Sequence, residues 1–304
     1  MRGRVGRRYE RNIVWMLGSP RSGTTWLMQM FGDHPGLATI DEPLIGAYLG
    51  PFVAELPGMD GEQLSAENFT LRRIQAGNPN QFFCERYEEA WLPALGDLIR
   101  RRFAAQAGRR STVIVKEPNG SQSADVLVRA TPGSRLLFVL RDGRDVVDSE
   151  TAGSGREGWV GSGFPGYRGI DADDRLEFVA HSARKWLWRT TVVQEAFAAH
   201  QGPKLLLRYE DVLADPVGRM REVLAWLGAP LADDDLRALV AKRAFDKVPL
   251  HARGPEQFYR AASPGLWQLN LSAAEQDAMH AVIGPKLAEL GYADVPDNAS
   301  VPAG

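Results

Sequence analysis

Residues 18–25 read GSPRSGTT, a glycine-rich turn of the kind that opens a helix around a bound phosphate. Gly18, Gly23 and Thr25 satisfy the pattern G-x-x-x-x-G-K-[ST], but Thr24 stands in the lysine's position. A cation comes three residues earlier instead, at Arg21. The turn still offers backbone N–H groups and the positive end of a helix dipole to an anion. What is missing is the side chain that reaches the β- and γ-phosphates in nucleoside triphosphatases. Thr24 and Thr25 supply hydroxyls and Arg21 a planar fork. That set suits an anhydride whose transferred group carries less charge than a γ-phosphoryl and which needs no metal.

The flanking sequence predicts the fold around this turn. Ile13 to Leu17 is a short apolar run that enters it as a buried strand, and Thr24 starts a helical run, TWLMQMFGDH. STVIVKEP (111–118), SRLLFVLRD (134–142) and PKLLLRYED (203–211) read as further buried strands. Each ends in charged residues, as expected where parallel strands deliver side chains to a ligand at their carboxyl ends. Helices separate them. LEFVAHSARKWLWRTTVVQEAFAAH carries Val179, Trp186 and Val193 on one face. DPVGRMREVLAWLG begins with Asp215 as N-cap and Pro216 at the first position, and stops at Gly228. LSAAEQDAMHAVI opens with a Ser272/Glu275 capping box and is expected to bend or end at Pro285. The alternation predicts an α/β fold: a single P-loop-type domain over residues 1–304 with a mostly parallel central sheet flanked by helices.

Two stretches resist this scheme. Residues 43–80 mix Pro, Gly and amphipathic fragments, and the glycine-rich 151–175 reads equally as a solvated linker or as a mobile loop covering an acceptor. Tyr48, Phe52, Trp159, Phe164 and Tyr167 could line an apolar or glycan-binding cleft or simply pack.

Composition narrows the function classes. Lys+Arg at 36 against Asp+Glu at 38 gives a formal charge of −2, so no global field attracts nucleic acid, and any anion site is local. The single cysteine, Cys84, excludes an intramolecular disulfide framework and suits a cytoplasmic, reducing setting. The five histidines lack metal-ligand spacing. The basic N-terminal arm MRGRVGRRYER (1–11) is followed by an apolar run too short for a signal or membrane span.

PRSGTTW (20–26) resembles the 5′-phosphosulfate loop, P-[KR]-[SGT]-G-T-T, of sulfotransferases that use 3′-phosphoadenosine 5′-phosphosulfate (PAPS). The resemblance implies that Arg21, Ser22, Gly23, Thr24 and Thr25 hold the 5′-phosphosulfate and that Trp26 stacks on adenine. RDGRDVVDS (141–149) is similar to the family's 3′-phosphate motif, R-x-x-[RK]-x-x-x-x-S. It implies that Arg141 forks onto the 3′-phosphate and that Ser149 donates a hydroxyl to it. The competing reading of this stretch is a Walker B strand with Asp142 on Mg²⁺, or a surface ion-pair cluster. LRYED (207–211) looks like the segment whose tyrosine, here Tyr209, contacts adenine. RAASPGLW (260–267) has the end points of the C-terminal R-K-G-x-x-G-x-W segment, with Arg260 toward the 3′-phosphate, but Ala261 and Ala262 replace Lys-Gly. The likeness spans residues 13 to about 270.

Sulfuryl transfer to an alcohol needs a base for the hydroxyl proton and cations on the bridging oxygen of the leaving phosphate. Arg21 meets the second need, and Lys116 in VIVKEP resembles the lysine of the K-D-P segment of tyrosylprotein sulfotransferases. The histidine used by cytosolic members is replaced by Pro118. Tyrosylprotein sulfotransferases use a glutamate in H-P-x-x-x-x-G-E-E. In HPGLATIDEP (34–43) the ungapped count puts Asp41 at that position, with Glu42, the longer carboxylate, beside it. Glu42 is the preferred base, for its longer reach and the Glu-Pro pairing that resembles bacterial members, with Asp41 close behind. The expected co-substrate is PAPS with no metal. The expected partner is a small-molecule, glycan or natural-product acceptor bearing a hydroxyl, without nucleic acid or a membrane span; the sequence says nothing of oligomeric state. A P-loop small-molecule kinase and a non-catalytic nucleotide-binding protein are the alternatives.

Overall fold

The computed structural model describes residues 9–48, 83, 85–108, 112–155, 158–160, 169–254, 257, 259 and 262–292. In chain order the elements are β1 (Ile13–Leu17), α1 (Thr24–Asp33), β2 (Leu37–Asp41), α2 (Ile45–Tyr48), α3 (Glu88–Ala107), β3 (Thr112–Lys116) and a 3₁₀ segment, Pro118–Ser123. Then follow α4 (Ala124–Ala130), β4 (Arg135–Leu140), α5 (Gly143–Ser154), α6 (Arg175–Ala199), β5 (Lys204–Arg208), α7 (Tyr209–Ala214), α8 (Pro216–Leu227), α9 (Asp233–Lys242), α10 (Trp267–Asn270) and α11 (Ala273–Glu289). They pack as two compact units, Met1–Arg141 with Trp188–Pro264, and Asp142–Leu187 with Gly265–Gly304.

The first unit carries the whole sheet, five strands in the order β2-β3-β1-β4-β5. Every pairing is parallel, including Asp41 opposite Lys116 at the ends of β2 and β3. Successive β1 side chains enter opposite layers because the strand period is two. Val14 and Met16 join a buried cluster with Leu27, Met30 and Phe31 of α1, Val223 and Leu227 of α8, and Leu236 of α9. Trp15 faces the other way, with its ring 5.6 Å from Phe103 of α3 and its indole N–H donating to Thr131 Oγ1 at 2.9 Å. Truncating a fully buried side chain such as Phe31 to alanine costs roughly 3–5 kcal/mol. This core fixes the strand ends that carry the site.

Local signals placed several elements correctly. Asp215 accepts from the Gly218 N–H at 2.8 Å, and α8 closes at Gly228 with φ of 73°. Both halves of the Ser272/Glu275 capping box are present. Pro285 does not end its helix, since α11 runs on to Glu289, with Ile283 and Leu287 buried on either side of the proline. Packing across the break outweighs the lost backbone bond. The strand β2 was not anticipated, and neither was the long helix α3.

The second unit is built on α5, α10, α11 and the first part of α6. Asp145 accepts the Gly265 N–H at 3.0 Å, and Asn270 Nδ2 donates to Asp148 at 3.1 Å. The Arg144 guanidinium lies 4.8 Å from the Trp267 ring centre and pairs with Asp142 at 2.7 Å. Thr151–Ser154, the start of the expected loop, complete α5 instead. Residues 161–168 of that loop, with Phe164 and Tyr167, lie outside the described residues, as do Phe52, Cys84 and residues 1–8.

Candidate active site

The loop after β1 is shaped by its own backbone. Gly18 has φ of 152°, and a Cβ there would lie 2.1 Å from the Val139 carbonyl oxygen on β4. Its N–H donates to Ser121 Oγ at 3.0 Å, and the Ser121 hydroxyl donates back to its carbonyl at 2.8 Å. Arg21 and Gly23 take φ of 69° and 82°. A Cβ on Gly23 would meet the Tyr209 ring at 2.4 Å, so only glycine fits both the dihedral and the space. Gly23 then caps α1, whose first-turn N–H groups face the anion expected there.

The ends of β4 and β5 bring two more predicted residues to this loop. Arg141 Nη1 donates to the Arg21 carbonyl at 2.7 Å, and its guanidinium sits 4.6 Å from the Tyr209 ring centre. Tyr209 in turn stands edge-on to Trp26 at 6.4 Å. Trp26 is fixed by its indole N–H, which donates to the Arg243 carbonyl at 2.7 Å. Arg243 is anchored by Asp33, which also binds Lys242. The hydrogen bond from Arg243 is the main reason the Asp33 carboxyl is held down at about 2. At the loop and the end of β4, two buried polar atoms, Ser22 Oγ and Arg141 Nε, lack a hydrogen-bond partner among the described residues. Unpaired buried donors beside a glycine cradle fit a polyanionic ligand.

The ends of β2 and β3 form the second half of the site. Lys116, with a side chain 3% exposed, places Nζ 2.8 Å from Asp41 Oδ1, 2.9 Å from Glu42 Oε1 and 3.0 Å from Thr25 Oγ1. The ammonium absent from the loop thus arrives from the neighbouring strand. Asn119 Nδ2 donates to the other Glu42 oxygen at 2.6 Å. Asp41 is 62% exposed and Glu42 34% exposed. Glu42 and Leu44 both adopt left-handed backbone, φ 44° and 58°, at a cost of roughly 1–2 kcal/mol per residue. Glu117, next to Lys116, is fully buried and accepts the N–H groups of Leu44 at 3.0 Å and Gly46 at 3.2 Å.

Ser149 is buried on α5, in the second unit. Arg260 lies outside the described residues. His34 is a structural histidine, with Nδ1 accepting from Gly36 N–H at 3.0 Å and Nε2 3.1 Å from the Ala229 carbonyl. Among the described residues no cluster of His, Cys, Asp and Glu could hold a metal, and no helix is long and apolar enough to cross a membrane.

The sulfotransferase family profile matches residues 14–234, from β1 to the first turn of α9. The chain belongs to the sulfotransferase family. A protein-tyrosine sulfotransferase of Drosophila melanogaster is 22% identical over 293 residues, covering 93% of this chain and 52% of the fly protein. The chain therefore spans about half the length of that relative. Mouse sulfotransferase SULT7A1, solved in complex with PAP, superposes with a TM-score of 0.55 at 11% identity over 95% of this chain and 86% of its own. Sulfotransferase STF9 of Mycobacterium avium superposes at 0.54 with 16% identity, over 93% and 78%. At these identities the two structures establish a shared fold. In this sulfotransferase-family chain, sequence reasoning missed Asn119, Ser121 and Arg243. None sits in a spaced motif, and each acts on residues at least 77 positions away, so no local signal points to them.

Proposed function

We propose that this chain is a single catalytic domain that transfers the sulfuryl group of PAPS to a hydroxyl of a small or medium-sized acceptor by in-line displacement. The observation that carries the reading is the position of Lys116. One buried ammonium touches a hydroxyl of the phosphate loop and both candidate base carboxylates, so donor and acceptor chemistry share a single point.

Bound PAPS would supply a sulfuryl group joined to a phosphate through one bridging oxygen. The loop 18–25 and its hydroxyls Ser22, Thr24 and Thr25 hold that phosphate, and Trp26 and Tyr209 hold adenine. Arg141 takes the 3′-phosphate, together with Ser149 and Arg260 on the strength of their motifs alone. Glu42 accepts the proton of the attacking hydroxyl. It is favoured over Asp41 because two donors orient it, one on each oxygen, whereas Asp41 has the lysine alone and stands further into solvent. Each carboxylate oxygen retains a lone pair for the proton. As the new O–S bond forms and the bridging S–O bond breaks, the electron pair leaves with 3′-phosphoadenosine 5′-phosphate (PAP). Arg21 and Lys116 stabilise the charge that collects on its oxygen.

A kinase would place its loop lysine at Thr24, and here that charge comes from a different strand. The test is transfer of ³⁵S from labelled PAPS to a panel of phenols, sterols, glycans and tyrosyl peptides in EDTA. Label in an acceptor with equimolar release of PAP supports the proposal. Phosphoryl transfer from ATP that requires Mg²⁺, with no ³⁵S product, would overturn it.

A further inference from the structure

The segment carrying the candidate base does not hold itself in place. Two of its residues, Glu42 and Leu44, are non-glycine residues in left-handed backbone, a conformation that persists only when neighbours over-determine it. The neighbours come from the end of β3 and the turn after it. The Glu42 N–H donates to the Lys116 carbonyl at 2.9 Å. Ser123 Oγ donates to the Gly46 carbonyl at 2.8 Å. A Cβ on Gly46 would fall 2.1 Å from the Gly120 carbonyl oxygen, and one on Gly120 would fall 2.2 Å from Glu117 Oε1. Two glycines thus let the segment close onto the turn until the Glu117 carboxylate meets it. Both oxygens of that carboxylate are then occupied by main-chain donors, Leu44 on Oε2 and Gly46 on Oε1.

We propose that Glu117 is the positioning residue of the acceptor side: its buried carboxylate holds the backbone of residues 42–46 and so fixes where the Glu42 carboxylate stands beside Lys116. It acts through Glu42 and touches no substrate, since its side chain is fully buried. This role rests on the reading that the Asp41/Glu42 pair contains the base.

Among the described residues the charged group that bears on Glu117 is Glu42 from the bound segment, and Lys116 is engaged by Asp41 and Glu42. The turn Pro118–Ser123 has no ionisable side chain. Burial, and to a smaller extent the charge of Glu42, raise the Glu117 carboxyl from 4.5 to about 7, against the lowering effect of the two N–H groups. The consequence for activity has a definite sign. Above about 7 the ionised group accepts both N–H bonds. Below it, one oxygen becomes a hydroxyl, a far weaker acceptor for its N–H than a carboxylate oxygen, and the segment loosens. Stability runs the other way. A raised folded value means that Glu117 stabilises most below 4.5, and that contribution is lost as pH rises to about 7.

Glu117→Gln fixes the group in a state like the protonated one, with one acceptor and one donor. Its kcat should fall about ten- to a hundredfold, as for a displaced catalytic group, with PAP affinity unchanged. The acid limb of the parent kcat profile near pH 7 should vanish in the variant. In the parent protein, the amide protons of Leu44 and Gly46 should titrate together through the same pH by NMR, a readout that stands even if the variant does not fold. Amide protons of Leu44 and Gly46 that stay flat across about one unit either side of that value would overturn the proposal. So would parent-like kcat in Glu117→Gln alongside an inactive Glu42→Gln. Failure of the base assignment looks different: Glu42→Gln and Asp41→Asn would both keep turnover, while the two amides still titrate.

Discussion

The loop 18–25 carries the main determinants of its shape in its own sequence, glycines at 18 and 23 with φ of 152° and 82° followed at once by a helix, and Ser121 and Arg141 clasp it from outside. The segment 42–46 takes its shape from residues 71 to 77 positions downstream, the Glu117 carboxylate and the Asn119 amide among them. In the proposed reading the first is a backbone device for a constant part of the co-substrate. The second is a side-chain device, tied to the loop at two points, Ser121 on Gly18 and Lys116 on Thr25. Under the proposed function, such a difference would let one fold keep its donor site while its acceptor site varies.

If that division holds, damage to the two regions should look different. The largest effect is expected at the carboxylate itself. Glu42→Gln should retain nucleotide affinity and lose roughly 10² to 10⁴ in kcat, the range for a positioned general base, and Asp41→Asn should cost much less. An inactive Asp41→Asn beside a near-normal Glu42→Gln would move the role to the exposed residue. Next comes Arg21, whose charge matters most as the leaving phosphate becomes negative. Arg21→Ala should lower kcat by about a hundredfold with a smaller effect on PAP binding. The smallest effect on kcat is expected at Arg141, whose alanine variant should chiefly raise the KM for PAPS. Matching kinetic profiles for Arg21→Ala and Arg141→Ala would erase the distinction between chemical and anchoring cations.

The same contrast governs what the sequence made legible. The loop, the strand before it, and Arg141 and Tyr209 at the ends of the next strands could be read because their signals are local: a motif, an apolar run, a charged strand end. Lys116 was readable as a strand-end cation, but not its threefold contact, which depends on Asp41 standing opposite it in the register of β2 and β3. LATID gave little hint of a strand, being a short edge piece that follows a Pro-Gly turn and ends exposed. Pro285, expected to bend or end its helix, does not end it, because a local breaker yielded to apolar anchors on both sides. In sequence Glu117 reads as a strand-end charge and as a reserve candidate for the base, after Glu42 and Asp41. Only the fold shows that it faces two main-chain N–H groups.

The measurement that bears most directly on the whole account is the thermal shift of the purified protein with PAP, ADP, and ATP with Mg²⁺, each at the same concentration. A loop that holds a 5′-phosphate and an arginine that holds a 3′-phosphate should bind PAP best. PAP in EDTA should therefore raise Tm well above ADP or ATP, and Arg141→Ala should remove most of that advantage. Equal stabilisation by ATP with Mg²⁺, or a PAP shift no larger than that of ADP, would contradict the sulfuryl-transfer reading at its root.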